Sequence, residues 1–355
     1  SVVLPGLVNT HTHLELSGLR DQVPRASHMP DWARQLMART VDRPPDDEAI
    51  RAAVGEARRA GTALLGDISN TLRSVAPLQD AGMFAVVFRE LLGFDDHSPS
   101  ARVAQLCAEL GEHTADSPRL RLAAHAPYSV SPALFAALSA AAERHGLWPL
   151  SVHAAESREE LEFLRTGTGP WREVLEERGR WDPDWSPSTA SPVEYLSRVG
   201  WLGANTLLVH GVQLTSQELD RVAAAGATVV TCPRSNRWTG AGSPPVEQFY
   251  TSGVRVAVGT DSLASVDDLN VFSELREIRR LAPSVPASDI LRSATRSGAE
   301  ALGFGEALGQ IAPGAHASLI SVRYAEPVVD VEEYLLSGIQ PEQVAWLDGA
   351  TAPVS

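Results

Sequence analysis

Two histidines separated by one residue, His11 and His13, directly follow an apolar run near the start of the chain. Residues i and i+2 of a β-strand point to the same side, so both imidazoles can reach a single cation. A pair of ordinary surface histidines would have the same spacing. The motif alone therefore leaves both interpretations open, and the rest of the chain must decide between them.

Side chains able to bind a metal or move a proton also end other apolar runs of strand length, at His125, His153, His210 and Asp261. These runs are apolar throughout, as strands buried on both faces are, and helical patterns separate most of them. Eight runs occur, near residues 2–8, 62–67, 84–90, 120–125, 148–153, 206–210, 227–232 and 254–260. They predict an α/β fold, a (β/α)8 TIM barrel, whose strand ends converge on one catalytic face.

The predicted barrel occupies residues 1–308, and the tail 309–355 has β character. We expect this tail to pack outside the barrel as a partial β-sandwich element at the C-terminal end. Residues 166–192, between the fifth and sixth runs, carry three tryptophans and are too long for a simple connection. This segment is either a lid over the site or a surface excursion with its own apolar cluster.

Composition restricts the class of protein. A net charge of -14 argues against nucleic acid as a partner, because binding to phosphates requires a basic face. No apolar stretch is long enough to span a membrane, and the two distant cysteines fit a reducing cytoplasm. The chain has no lysine, which excludes mechanisms that use a Schiff-base, P-loop or carbamylated lysine.

Five motifs resemble the amidohydrolase superfamily, in the order PGLVNTHTHLE, HAAES, LLVHG, CPRSN and VGTDS. The closer resemblance is to the branch of deaminases and chlorohydrolases, which includes cytosine, guanine and adenosylhomocysteine deaminases. It covers about residues 1–323. The resemblance implies that Glu156 is the acid/base, that His210 orients the attacking water and that His125 contacts substrate. It also implies four metal ligands: His11, His13, His153 and Asp261.

Superfamily members with two metals usually bind them through a carbamylated lysine, so a chain without lysine is expected to hold one divalent metal. Zinc is the first expectation, and iron also suits nitrogen and oxygen ligands with an open position. Family members usually have a β-sandwich segment before the first barrel strand. This chain begins almost at that strand, and its tail from Gly309 resembles the other half of the sandwich. The sequence is therefore either trimmed or has a reduced sandwich.

The chemistry expected of such a site is hydrolytic deamination. A divalent metal can lower the pKa of bound water from 15.7 to about 7, and the resulting hydroxide can attack an aromatic carbon that carries an amino group. Glu156 would carry a proton from the water to the adjacent ring nitrogen, and Asp261 would accept the second proton for the leaving ammonia. The alternatives are that Glu156 is an ordinary first-turn acid of a helix and His210 a core histidine.

The residues expected to contact substrate are less specific. Besides His125, the candidates are Arg89, Glu90, Trp32 and Asn236. Arg89 and Glu90 could hold a polar group or pair with each other, Trp32 could stack on a ring or pack in the core, and Asn236 could line the pocket or cap a turn.

The motifs FREL, CPRSNRWTG and GTDSLAS most resemble enzymes acting on 6-aminodeoxyfutalosine, so the expected substrate is a small heteroaromatic amine. The alternatives are hydrolysis of another bond, in a cyclic amide or a chlorotriazine, and a catalytically silent barrel that binds a ligand. The resemblance also suggests a homodimer, because dimers are common in the family.

Overall fold

The computed structural model describes residues 1–41, 43–112, 117–324 and 327–347. Eight parallel strands form one sheet in chain order, and Asp261 N–H donates to the His11 carbonyl at 3.0 Å where the last strand meets the first. This confirms the predicted (β/α)8 barrel. The barrel strands are β2 (Leu7–Thr12), β3 (Thr62–Ser69), β4 (Phe84–Leu91), β5 (Arg119–Ala124), β6 (Leu150–Ala154), β7 (Thr206–His210), β8 (Thr228–Thr231) and β9 (Arg255–Val258).

Helices cover the outside of the barrel and form parts of its loops. The longest among the described residues has 14 residues, and none is long and apolar enough to cross a bilayer. The helices are α1 (Met29–Thr40), α2 (Asp47–Arg59), α3 (Val75–Asp80), α4 (Ser100–Gly111), α5 (Pro132–His145), α6 (Arg158–Thr166), α7 (Pro170–Glu177), α8 (Pro192–Arg198), α9 (Ser216–Ala225), α10 (Pro233–Thr239), α11 (Val246–Thr251), α12 (Val271–Leu281), α13 (Ala287–Ser293), α14 (Arg296–Ala301) and α15 (Val331–Leu335). Two 3-10 helices span Leu14–Leu19 and Pro341–Gln343.

The first predicted strand, 2–8, is wrong in its bounds, because the chain divides at Gly6. Residues Val2–Pro5 form β1, which pairs antiparallel with β10 (Leu319–Val322), and β10 pairs with β11 (Val344–Trp346). A Cβ at Gly6 would lie 2.6 Å from the Ala63 Cβ, so only glycine allows this close approach. The small sheet therefore takes strands from both ends of the chain. The expected tail partly lies outside the described residues, at 325–326 and 348–355.

Side chains on the barrel strands alternate between the interior of the barrel and the layer under the helices. On β4, Val86 and Phe88 belong to the interior cluster, whereas Val87 and Leu91 pack towards the helices. This period of two puts Glu90 on the interior side and Arg89 on the outer side. The alternation therefore decides which residue at the end of this strand can reach the catalytic face.

The tryptophan-rich segment, residues 166–192, packs against aromatic side chains outside it, which both interpretations of this segment allow. Trp181 and Trp185 lie 5.7 and 5.4 Å from the Phe94 ring, measured between centroids. Trp171 stacks on Tyr128 at 3.9 Å. The segment is thus anchored over the ends of β4 and β5, next to His125.

Asp67 links β3 to the 3-10 helix that follows His13, and it provides a stability test. Its Oδ1 accepts from the Leu14 N–H at 2.8 Å, and burial raises the pKa of this carboxyl to about 8. The folded protein keeps the proton up to about that pH, whereas the unfolded chain loses it above pH 4. The stability that the neutral carboxyl contributes is therefore complete at low pH and is lost as the pH rises towards 8.

Asp67→Asn should consequently gain stability relative to the wild type as the pH rises. Between pH 6 and 8 the expected divergence is at most about 1.4 kcal/mol per pH unit, because asparagine has no proton to lose. Urea unfolding at several pH values measures this difference. Asp80→Asn, at an exposed position on α3, is the control and should show no divergence. Parallel curves for wild type and Asp67→Asn would contradict the account.

Candidate active site

Three imidazoles meet at the carboxyl end of the barrel. His11 and His13 come from the end of β2, His153 comes from β6, and each offers a ring nitrogen within 4.8 Å of the others. Asp261, just beyond β9, places its Oδ1 3.5 Å from His13 Nε2 and 3.8 Å from His11 Nε2. The structure thus brings together the four residues that the family resemblance implies as metal ligands.

The histidines of this group are neutral at physiological pH and free to donate lone pairs. Burial lowers the pKa of His11 well below its usual value and lowers the pKa of His13 and of His153 to about 4. His153 Nδ1 donates to the His125 carbonyl at 2.8 Å, which leaves Nε2 without a proton. A backbone acceptor of this kind commonly orients a histidine that binds a metal.

Asp261 is held from several sides in a backbone conformation that non-glycine residues rarely adopt, with φ +63°. Ser235 Oγ donates to its Oδ2, and the Ser262 N–H donates to its Oδ1 at 2.8 Å. Burial raises the pKa of Asp261, and the Ser235 hydrogen bond opposes this rise. The motif CPRSN contains Ser235, but only the structure shows that its hydroxyl holds Asp261.

His210 also adopts a positive φ, +77°, at the end of β7. Asn236 Nδ2 donates to His210 Nδ1 at 2.9 Å, so the ring proton lies on Nε2. That Nε2 lies 3.5 Å from Glu156 Oε1. His210 is close enough to join a metal group with His11 and Asp261, but its tautomer makes it a hydrogen-bond donor. Asn236 thus acts on His210, which differs from the expected contact with substrate.

Glu156 lies two residues beyond β6 and is 2% exposed. Burial raises the pKa of this carboxyl well above its usual value, and the charges of Asp261 and Glu160 add to the effect. A carboxyl with a raised pKa can both accept and return a proton near neutral pH, as a general acid/base must. Its position beside His210 matches the role that the family resemblance implies.

Glu90 and His125 border the metal group on the side of β4 and β5. Asn70 Nδ2 donates to Glu90 Oε2 at 2.9 Å, while the buried Oε1 has no hydrogen-bond partner in the described structure. His125 Nδ1 donates to Ser129 Oγ at 2.6 Å, because the Ser129 hydroxyl donates to the Ala126 carbonyl. Glu90 Oε1 and His125 Nε2 are therefore both available as acceptors.

Two of the expected substrate contacts have partners of their own in the structure. Arg89 is on the outer side of β4, where its guanidinium donates to the Glu90 carbonyl at 2.9 Å and burial lowers its pKa. This position does not support a contact with substrate, and strand alternation explains the difference from the expectation. Trp32 packs with Leu19, Val23 and Ala264 in an apolar cluster. Its buried Nε1 has no hydrogen-bond partner among the described residues, so its stacking on a substrate ring stays a prediction.

The donor set fits a divalent transition metal. His11 Nε2 is buried without a hydrogen-bond partner in the described structure and lies within ligand distance of the neighbouring donors. Neutral imidazoles with one carboxylate are ligands that zinc and iron accept. A (β/α)8 barrel with this group of possible metal ligands and a buried carboxyl at its carboxyl face is typical of a class of metal-dependent hydrolases.

Comparison with known proteins agrees with this class. The model of the amidohydrolase family matches residues 2–343. The 5-methylthioadenosine/S-adenosylhomocysteine deaminase of Syntrophobacter fumaroxidans is 32% identical over 344 residues, covering 92% of this chain and 73% of that protein. The chain belongs to the amidohydrolase family.

Two solved structures are also similar. One is a zinc-bound adenosine deaminase from Xanthomonas campestris, with a TM-score of 0.81 and 28% identity over 96% of this chain and 77% of that one. The other is Helicobacter pylori aminofutalosine deaminase in complex with methylthio-coformycin, with a TM-score of 0.83 and 27% identity over 94% and 82% of the two chains. Hydrolytic deamination, which the sequence predicts, agrees with these relatives.

Proposed function

We propose that this protein deaminates a 6-aminopurine nucleoside by hydrolysis and that its metal is zinc. The observation that carries the proposal is the buried Glu156 carboxyl, which lies 3.5 Å from the His210 donor beside the metal group. Zinc is bound in the similar adenosine deaminase. The two free cysteines, Cys107 and Cys232, fit a reducing cytoplasm as its location.

The proposed ligands are His11, His13, His153 and Asp261. A divalent cation held by them would act as a Lewis acid that lowers the pKa of a bound water. The fixed donors around these ligands, the His125 carbonyl and the Ser235 hydroxyl, keep His153 and Asp261 oriented before the cation arrives.

The proton transfers are assigned to three side chains. The Glu156 carboxylate accepts a proton from the attacking water and delivers it to the ring nitrogen next to the reacting carbon. His210 Nε2–H donates a hydrogen bond that orients the water. Asp261 accepts the second proton and passes it to the amino group, which leaves as ammonia. One water is consumed, the C–N bond breaks and a C=O bond forms.

Glu90 is the proposed contact for a sugar hydroxyl. Among the described residues no donor reaches its buried Oε1, and its Oε2 accepts from Asn70 Nδ2. An unpaired buried acceptor is costly, so a ligand hydroxyl that donates to it gains affinity. The relatives are named as deaminases of adenosine, of 5-methylthioadenosine and S-adenosylhomocysteine, and of aminofutalosine. Their common chemistry is a 6-aminopurine on a ribose, and 6-aminodeoxyfutalosine remains one proposed substrate within it.

An ammonia-release assay on the zinc-loaded protein tests the function. The panel comprises adenosine, 5'-methylthioadenosine, S-adenosylhomocysteine and 6-aminodeoxyfutalosine. The best substrate should reach a kcat/KM of about 10⁴ M⁻¹ s⁻¹ or more. Its analogue lacking the hydroxyl bound by Glu90 should lose about 10- to 100-fold in kcat/KM, because the buried Oε1 acceptor is left without a donor. No ammonia from any compound would contradict the proposal.

A further inference from the structure

The chain makes a tight turn at residues 154–156, between the proposed ligand His153 and the proposed acid/base Glu156. Ala155 adopts φ +52°, the left-handed region that side chains disfavour. All three residues of the turn are buried. Such a conformation persists only where its surroundings hold it, and strained residues of this kind cluster at functional sites.

The carboxylate of Glu160 binds the backbone of this turn. Its Oε1 accepts from the Ala155 N–H and its Oε2 from the Glu156 N–H, both at 2.9 Å. Glu160 is fully buried in the first turn of α6. Each carboxylate oxygen thus accepts one backbone N–H of the turn that contains Glu156.

An equivalent glutamate elsewhere in the barrel does something different. Glu218 occupies the same third position of α9, where its carboxylate accepts from the Thr215 N–H at 3.0 Å in an ordinary capping box. Glu160 instead reaches beyond its own N-cap residue, Ser157, to the two residues before it. Glu218 therefore caps its own helix, whereas Glu160 binds the turn that precedes its helix.

The other side of the turn is tied to the His210 loop. The Ala154 carbonyl accepts from the Gly211 N–H at 3.2 Å, and the Ala155 carbonyl accepts from the Gln213 N–H at 2.7 Å. The turn is therefore fixed between the Glu160 carboxylate and the chain that follows His210. This arrangement sets the position of the Glu156 carboxyl relative to the His210 donor.

We propose that Glu160 is a positioning residue. Its two carboxylate oxygens accept hydrogen bonds from the 154–156 turn and thereby hold Glu156 at the place where it transfers protons. The inference rests on the proposed function, in which Glu156 is the acid/base. A glutamine at 160 keeps the shape but has only one acceptor, so its NH₂ group would face one of the two N–H donors. Misplacement of a catalytic group by about 1 Å can cost about 100-fold in rate.

Glu160→Gln is the test, with Glu159→Gln, at the preceding position of α6, as the control. We expect Glu160→Gln to bind metal like the wild type and to keep its KM, while kcat falls by about 10- to 100-fold. Its melting temperature should be lower, because one buried N–H donor of the turn loses its acceptor. Affinity for a nucleoside analogue with a tetrahedral carbinol at the reacting carbon should fall by the same factor as kcat/KM. Glu159→Gln, whose side chain contacts the exposed His28, should leave all of these values unchanged.

A second variant keeps the test informative. Adding Ala155→Gly to Glu160→Gln should restore part of kcat, because glycine adopts the left-handed conformation without strain. An unchanged kcat in Glu160→Gln would overturn the inference, as would a loss of kcat that follows the loss of metal or is absent at a temperature where the variant is fully folded. Glu156→Gln is measured in parallel: if that variant keeps full activity, the proposed function itself fails, whatever Glu160 does.

Discussion

Glu156→Gln is expected to lower kcat for ammonia release by about 10²- to 10⁴-fold, the usual contribution of a general acid/base. Glutamine has nearly the same shape, but it cannot accept a proton from water or return one to a ring nitrogen. Because the Glu156 carboxyl is buried and its pKa is raised well above the usual value, a neutral amide should fit without disturbing the fold. Steady-state kinetics at saturating zinc measure the effect.

The control for this prediction is Glu159→Gln, three residues further along the chain. Glu159 contacts the exposed His28 at 3.3 Å and has no place in the proposed mechanism. Its glutamine variant should keep the wild-type kcat, and both variants should retain the wild-type metal content. A Glu156→Gln protein with wild-type kcat would show that another group moves the proton.

His11→Ala should remove both the metal and the activity. His11 is 1% exposed, and its Nε2 lies close to Asp261 and to the neighbouring imidazoles. Lewis acid chemistry is worth several kcal/mol in the transition state, which corresponds to about 10³-fold or more in rate. Ammonia release after incubation with zinc should therefore be lost to at least this extent.

His97→Ala is the matched control, since His97 is exposed and lies 3.5 Å from Asp182, away from the metal group. It should bind metal and release ammonia like the wild type. If His11→Ala kept wild-type activity without metal, the site would not work as proposed. Circular dichroism of both variants would verify that the barrel remains folded.

The sequence predicts the barrel well because its signals are local. Continuous apolar runs identify the buried parallel strands, and the residue that ends each run lies at the catalytic face by topology alone. His153, His210 and Asp261 could therefore be grouped before any coordinates were known. The strand boundary at Gly6 was harder to predict, because a single apolar run contains strands of two different sheets. β1 pairs with β10 at the opposite end of the chain, and β2 pairs with β3, over 50 residues away.

The orientation of side chains could not be read from the same signals. Arg89 and Glu90 are adjacent, and a register error of one residue exchanges the inner and outer faces of a strand. Asn236 sets the tautomer of His210, and Ser235 holds Asp261. Both donors belong to α10, which is separate in sequence from the residues that they contact. Glu160 was visible only as a helix acid, because its contacts with the 154–156 turn depend on a left-handed residue that the sequence does not mark.

Elemental analysis of the purified protein, beside His11→Ala, tests the central claim most directly. The account predicts close to one equivalent of zinc per chain in the wild type, ammonia release that rises in proportion to the bound metal, and loss of both in the variant. No bound metal after reconstitution, or ammonia release that does not depend on metal, would contradict the account.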